Sequence, residues 1–126
     1  EGGYGSLNVG LHHPREFRVI ESWSGYEHAD DILSIFGHQK RRLAHNSPAT
    51  YVPKVARGLR RRGTYVWFYS SHDDRGLRQN VAFAHELARL HVRHRFLVVT
   101  GGHTWRAWRD YFPDAILAAS RGLGRG

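Results

Sequence analysis

Three short apolar runs rich in β-branched and aromatic residues punctuate the chain, and stretches of helical spacing separate them. The runs at 17–23, 64–69 and 95–99 read as buried strands, and each closes on small or polar residues: Ser24-Gly25, Ser70-Ser71 and Thr100-Gly101-Gly102. From Leu77 to His91 the residues Leu77, Val81, Ala84 and Ala88 recur on one helical face, with Arg78, Gln79, His85 and Arg89 turned outward. Another helix is expected to begin near Gly2, to carry the apolar Leu7, Val9 and Leu11, and to stop before Pro14. A short helix is expected from Ala29 to Phe36. The last starts at Thr104, breaks or kinks at Pro113, and is expected to turn Trp105, Trp108, Phe112 and Ile116 inward. Strand and helix alternate, so the pattern predicts an α/β fold: three parallel strands with flanking helices on both faces.

A chain of 126 residues is one domain with a single core, and its 40% hydrophobic and 24% charged residues suit a soluble globular protein. No apolar run approaches the ~20 residues that a membrane span requires. The absence of cysteine excludes disulfides and thiolate metal sites. A formal charge of +8 raises the question of a nucleic-acid partner. However, the one dense basic run, Arg57 to Arg62, contains Gly58 and Leu59 and reads as a solvated loop, so no nucleic acid is expected. The Arg/Gly tail from Arg121 to Gly126 has no strand before it or helix after it, which argues against a nucleotide loop.

In parallel sheets ligands bind beyond the carboxyl ends of the strands, so the residues just after each strand matter most. After the second come His72, Asp73 and Asp74; after the third come Gly101-Gly102-His103-Thr104-Trp105. An acid and a histidine at one sheet edge are two members of a hydrolytic triad, in which histidine takes the nucleophile's proton and the carboxylate fixes its tautomer. On spacing alone the aspartate serves equally as a turn or cap, and the histidine as a loop residue. The N-terminal Glu1-Gly2-Gly3-Tyr4-Gly5-Ser6-Leu7 reads as the latter half of a nucleophile elbow, G-x-S-x-G, with Glu1 as the second x and Gly2 as the closing glycine. A Gly-rich helix start is the other reading of the same residues. On the elbow reading the chain, which opens on Glu1, is the later part of a longer protein whose serine precedes it, and the order Ser, Asp, His is that of α/β-hydrolases.

Four stretches carry a family resemblance: Gly2 to Leu7 with His13-Pro14 and Phe17; Glu21-Ser22-Trp23-Ser24-Gly25-Tyr26; Tyr69 to Asp74 with Arg78-Gln79-Asn80; and Gly101-Gly102-His103-Thr104-Trp105 with Trp108. Over almost the whole chain the sequence resembles the C-terminal half of the esterase family of α/β-hydrolases that includes esterase D, the enterobactin esterases and the mycolyltransferases. The resemblance implies that residues 1–126 are a partial α/β-hydrolase domain lacking its N-terminal half. It makes His103 the general base, Asp74 rather than Asp73 the triad acid, and the backbone N–H of Glu1 one oxyanion donor. Trp105, beside His103, is expected on the wall of the substrate pocket. The implied activity is hydrolysis of a small-molecule carboxylic ester through an acyl-enzyme, with no cofactor. Acyl transfer to a sugar or alcohol, as in the mycolyltransferases, and a non-catalytic hydrolase-fold module stand as alternatives.

Ten histidines invite a metal reading, but His85-Glu86 is followed by Arg89 where H-E-x-x-H requires histidine, and His91 and His94 could chelate only if both faced one way. No metal is therefore expected. Trp23, Trp67 and Trp108 are read as core aromatics.

Overall fold

In a computed structural model, which describes residues 1–124, strands β1 (Val19–Trp23), β2 (Tyr65–Ser71) and β3 (His94–Val99) form one sheet in the order β1-β2-β3. Both pairings are parallel, with Ile20 opposite Val66 and Val66 opposite His94. This is the expected architecture. β1 begins two residues later than predicted because the backbone N–H groups of Glu16 and Phe17 both bond to the carbonyl of His13, which holds the chain in a turn after Pro14.

Helices α1 (Gly2–His12), α4 (Pro48–Arg62) and α5 (Leu77–Arg89) cover one face of the sheet, where Leu7, Leu11, Val52, Leu59, Phe83 and Leu87 pack with Ile20, Val66 and Phe68. Helix α6 (Trp105–Leu123) covers the other, over Trp67, Tyr69 and Val99. Buried on both sides, β2 is apolar almost throughout, as a central parallel strand must be. The segment predicted as one short helix is a 3-10 turn (Ala29–Ile32) running into α2 (Leu33–Phe36), and α3 (Lys40–His45) follows.

Three expectations need correction. Arg57 to Arg62 is not a loop but the last turns of α4, whose inner face is Tyr51, Val52, Ala56 and Leu59. Pro48 and Pro53 obscured this helix, although Pro48 sits in its first turn, where a proline's missing N–H costs nothing. The helix ends at Gly63 in the left-handed conformation, and Arg60 Nη1 donates to the Leu90 carbonyl at 2.8 Å. Second, α6 is one continuous helix through Pro113, and it is rotated from the expected phase. Ala107, Ala115, Ala118 and Gly122 face the sheet, whereas Trp105, Phe112 and Ile116 are largely exposed. Small residues let the helix lie close on the bulky Trp67 and Tyr69: a Cβ at Gly122 would meet the side chains of Val19 and Tyr65. Third, the inner faces of α1 and α5 are shifted. Tyr4 rather than Val9 is buried in α1, and Asn80, Phe83, Ala84 and Leu87 are buried in α5 while Ala88 is exposed. The Arg/Gly tail lies partly outside the described residues, as Arg125 and Gly126 are not described.

Candidate active site

All three β-strands run the same way, so their carboxyl ends bring Ser24-Gly25, Ser71 to Asp74 and Gly101 to His103 to one edge. After β2 the chain makes a tight turn in which the Asp74 N–H donates to the Ser71 carbonyl at 3.0 Å. One oxygen of Asp74, Oδ2, is anchored by that turn: it accepts from the Ser71 N–H at 2.7 Å and the Ser70 hydroxyl at 3.2 Å. The other, Oδ1, faces the His103 ring at 3.8 Å from Nδ1. The carboxylate side chain is 10% exposed and the imidazole 54%. At that distance the pair is an ionic contact rather than a formed hydrogen bond, and catalytic contacts tighten when substrate binds. Asp73, the neighbouring candidate, is exposed to solvent.

His103 is aimed by local chemistry. Gly101 (φ +108°) and Gly102 (φ +63°) take conformations that side-chain-bearing residues rarely adopt, and the Gly102 N–H donates to the Ser71 hydroxyl at 3.0 Å. That bond ties the His103 loop to the turn carrying Asp74. Thr104 then caps α6: its hydroxyl accepts from the Ala107 N–H at 3.2 Å and donates to the Gly101 carbonyl at 2.8 Å. The edge of the His103 ring meets Trp108 at a centroid distance of 5.1 Å.

Glu1, at the start of α1, reaches the same edge. Its approach depends on close packing, because a Cβ on Gly3 would lie 2.7 Å from Ser22 Oγ and 3.0 Å from both the Gly25 Cα and the Trp23 carbonyl. The N-terminus of α1 thus rests backbone to backbone on the end of β1. Two cavities meet at Glu1 and His103. One, of about 430 Å³, is lined by Gly3, Ser6, Glu21, Trp23 and Trp108 besides those two. The other, of about 510 Å³, opens toward Tyr26, Asp31, Arg75 and Gln79.

Trp105 is 82% exposed and lines neither cavity; its ring stands edge-on to Trp108, at 4.9 Å, and it is Trp108 that reaches the wall. Glu21 was not singled out by sequence reasoning as a site residue. It accepts from Trp23 Nε1 at 3.2 Å, its other oxygen is buried without a partner, and burial holds its carboxyl above the usual range. An acidic residue inside an apolar strand was the signal available for it. Among the described residues no group of three or more His, Cys, Asp or Glu side chains is placed to hold a metal ion, and no helix is long and apolar enough to cross a membrane.

Comparison with solved structures gives a ferulic acid esterase at TM-score 0.80 and 25% identity, covering 96% of this chain and 48% of that one. The S-formylglutathione hydrolase of Staphylococcus aureus matches at TM-score 0.72 and 18% identity, over 92% of this chain and 50% of its own. Fluorophosphonate-binding serine hydrolase F of the same organism matches at TM-score 0.73 and 19% identity, over 92% and 49%. The chain therefore spans about half the length of each of these structures. Comparison with curated protein sequences gives no match. A family model described as "Putative esterase" matches residues 1–119, a span that includes α1, the Asp74 turn and the His103 loop, and the chain belongs to that esterase family of α/β-hydrolase fold.

Proposed function

We propose that this chain carries the acid and base of a carboxylic-ester hydrolase that works through an acyl-enzyme. The observation that supports this most is the Asp74–His103 pair: one carboxylate oxygen is pinned by the β2 turn and the other is presented to Nδ1 of the imidazole. With Nδ1–H directed at Asp74, Nε2 is the free base. The nucleophile on this reading is a serine placed directly ahead of Glu1, outside these 126 residues, at the turn where α1 meets the His103 cavities. The serines within the chain fit that role poorly. Ser24 and Ser71 are buried, Ser71 Oγ already accepts from Gly102, and Ser6 lies in the second turn of α1.

In the proposed cycle the serine oxygen bonds to the ester carbonyl carbon while its proton passes to His103 Nε2. The carbonyl oxygen gains the negative charge and is met by the Glu1 N–H. His103 then gives the proton to the departing alkoxide as the carbon–oxygen bond of the ester breaks. Water attacks the acyl-serine in the same way, with His103 again as base and then as acid. Asp74 orients the ring and stabilises the imidazolium. Residues 1–126 form on this proposal the C-terminal part of a larger hydrolase domain acting on a small-molecule ester.

Fluorophosphonate labelling of the full protein, followed by peptide mapping, tests the assignment. The expected adduct lies on a serine immediately preceding Glu1, and His103→Ala abolishes it. An adduct on Ser6, Ser24 or Ser71 would show that the activated serine is another one.

A further inference from the structure

Beyond Glu1, Asp74 and His103, the larger of the two cavities is lined by residues to which the proposed acyl-enzyme chemistry gives no role. It starts at Glu1 and His103 and runs between the loop after β1, carrying Tyr26 and Asp31, and the start of α5, carrying Arg75 and Gln79. Its floor is fixed. Asn80, fully buried in α5, donates from Nδ2 to the Gly25 carbonyl at 2.9 Å and shares that amide with the Gly76 carbonyl at 2.9 Å, clamping the β1 loop to the helix start. The Tyr26 ring is stacked on Tyr4 with 5.2 Å between centroids. Across the cavity Gln79 Nε2 donates to Asp31 Oδ2 at 3.3 Å, which sets the orientation of the Gln79 amide.

Four polar atoms of this frame are buried and have no hydrogen-bond partner, Ser24 Oγ, Asn80 Oδ1, Tyr26 Oη and Gln79 Oε1, and the last two sit on the side chains that wall the cavity between the β1 loop and the start of α5. A buried polar atom left unmatched is costly, and a site that keeps such atoms selects ligands that satisfy them. The tyrosine hydroxyl is a donor at neutral pH, since burial and the nearby Glu1 and Asp31 charges push its pKa upward. The orientation of the Gln79 amide leaves its oxygen as an acceptor. One offers a proton and the other takes one, which is the complement of an alcohol hydroxyl. The charged residues around the cavity, Glu1, Asp31, Asp73 and Asp74 against Arg75, give it a negative balance that disfavours a carboxylate or phosphate.

We propose that this cavity is the subsite for an uncharged, hydroxyl-bearing alcohol portion of the ester, recognised by Tyr26 Oη and Gln79 Oε1 beside His103. The inference rests on the esterase reading above and adds to it the chemical class of the leaving group.

The test uses the full protein and two esters with the same acyl group, glycerol monoacetate and ethyl acetate, read as the ratio of their kcat/KM values. Tyr26→Phe keeps the stacked ring and removes only the hydroxyl, and Gln79→Ala removes the acceptor from the cavity wall. Each is expected to lower the glycerol-to-ethyl ratio about tenfold. A ratio within about twofold of wild type in a folded variant would overturn the inference; Gln79→Ala decides the matter should Tyr26→Phe fail to fold. If the wild-type protein hydrolyses neither ester, the esterase reading has failed, and saturation-transfer NMR with methyl glucoside then decides the subsite without turnover. A signal that disappears in Tyr26→Phe or Gln79→Ala supports it, and a signal absent from wild type or retained in both variants overturns it.

Discussion

Glu27 lies in the loop after β1 with its side chain fully buried, and neither carboxylate oxygen has a hydrogen-bond partner among the described residues. Burial, with a smaller contribution from Asp31, pushes its pKa from 4.5 up to about 8. The folded protein therefore holds a proton there that the unfolded chain releases above pH 4.5. Because the native state binds more protons over that interval, stability falls as pH rises from about 4.5 to 8, and then levels off. At about 1.4 kcal/mol for each pH interval of one, the loss is roughly 4–5 kcal/mol, a large share of a small domain's total. Glu27→Gln keeps the shape and removes the ionisation. It is expected to be near neutral at pH 5 and to stabilise by about 3–5 kcal/mol at pH 9. Urea unfolding followed by tryptophan fluorescence at intervals from pH 5 to 9 measures both proteins, and the difference between the two curves isolates this one carboxyl. If that difference stays constant across the range, Glu27 is ionised in the folded state and the reasoning is wrong.

Three further outcomes are expected. In the full protein His103→Ala should reduce kcat by about 10³–10⁵-fold, Asp74→Asn somewhat less, and Asp73→Asn by less than about threefold; a damaging Asp73→Asn would move the acid by one position. Gly3→Ala should destabilise by about 1–3 kcal/mol in thermal melts, because the added methyl meets the Gly25 Cα and the Trp23 carbonyl at 3.0 Å, backbone that cannot swing aside; an unchanged melting temperature would show that α1 shifts freely on β1. The 126-residue chain alone should show no His103-dependent hydrolysis of p-nitrophenyl acetate and should self-associate in sedimentation, since β1 is an outer strand of the sheet and bears the buried Ile20; a monodisperse, cooperatively melting monomer would contradict the second expectation.

Local information carried much of this protein. The apolar runs ending in Ser-Gly, Ser-Ser and Gly-Gly identified three parallel strands and, with them, the sheet edge where Asp74 and His103 meet. Strand ends were legible because turn chemistry is a property of two or three adjacent residues: Gly101 and Gly102 take backbone conformations that glycine favours wherever they occur. Helix rotation was not. Helix α6 carries two apolar faces, one with the aromatics Trp105 and Phe112 and another with the small residues Ala107, Ala115 and Gly122, and hydrophobicity alone assigns the inner face to the larger side chains. What reversed that assignment was the opposing surface, where Trp67 and Tyr69 already fill the space and admit only small partners. Tertiary context also hid α4, whose prolines and arginines mask an inner face that is buried only once α1, α3 and α5 pack around it over the sheet. The two cavities beside His103 join Glu1, Glu21, Tyr26, Gln79 and Trp108, residues spread across more than a hundred positions. No periodicity links such residues; the register of three strands and the crossing of four helices bring them together, so the tertiary structure decided what surrounds the histidine.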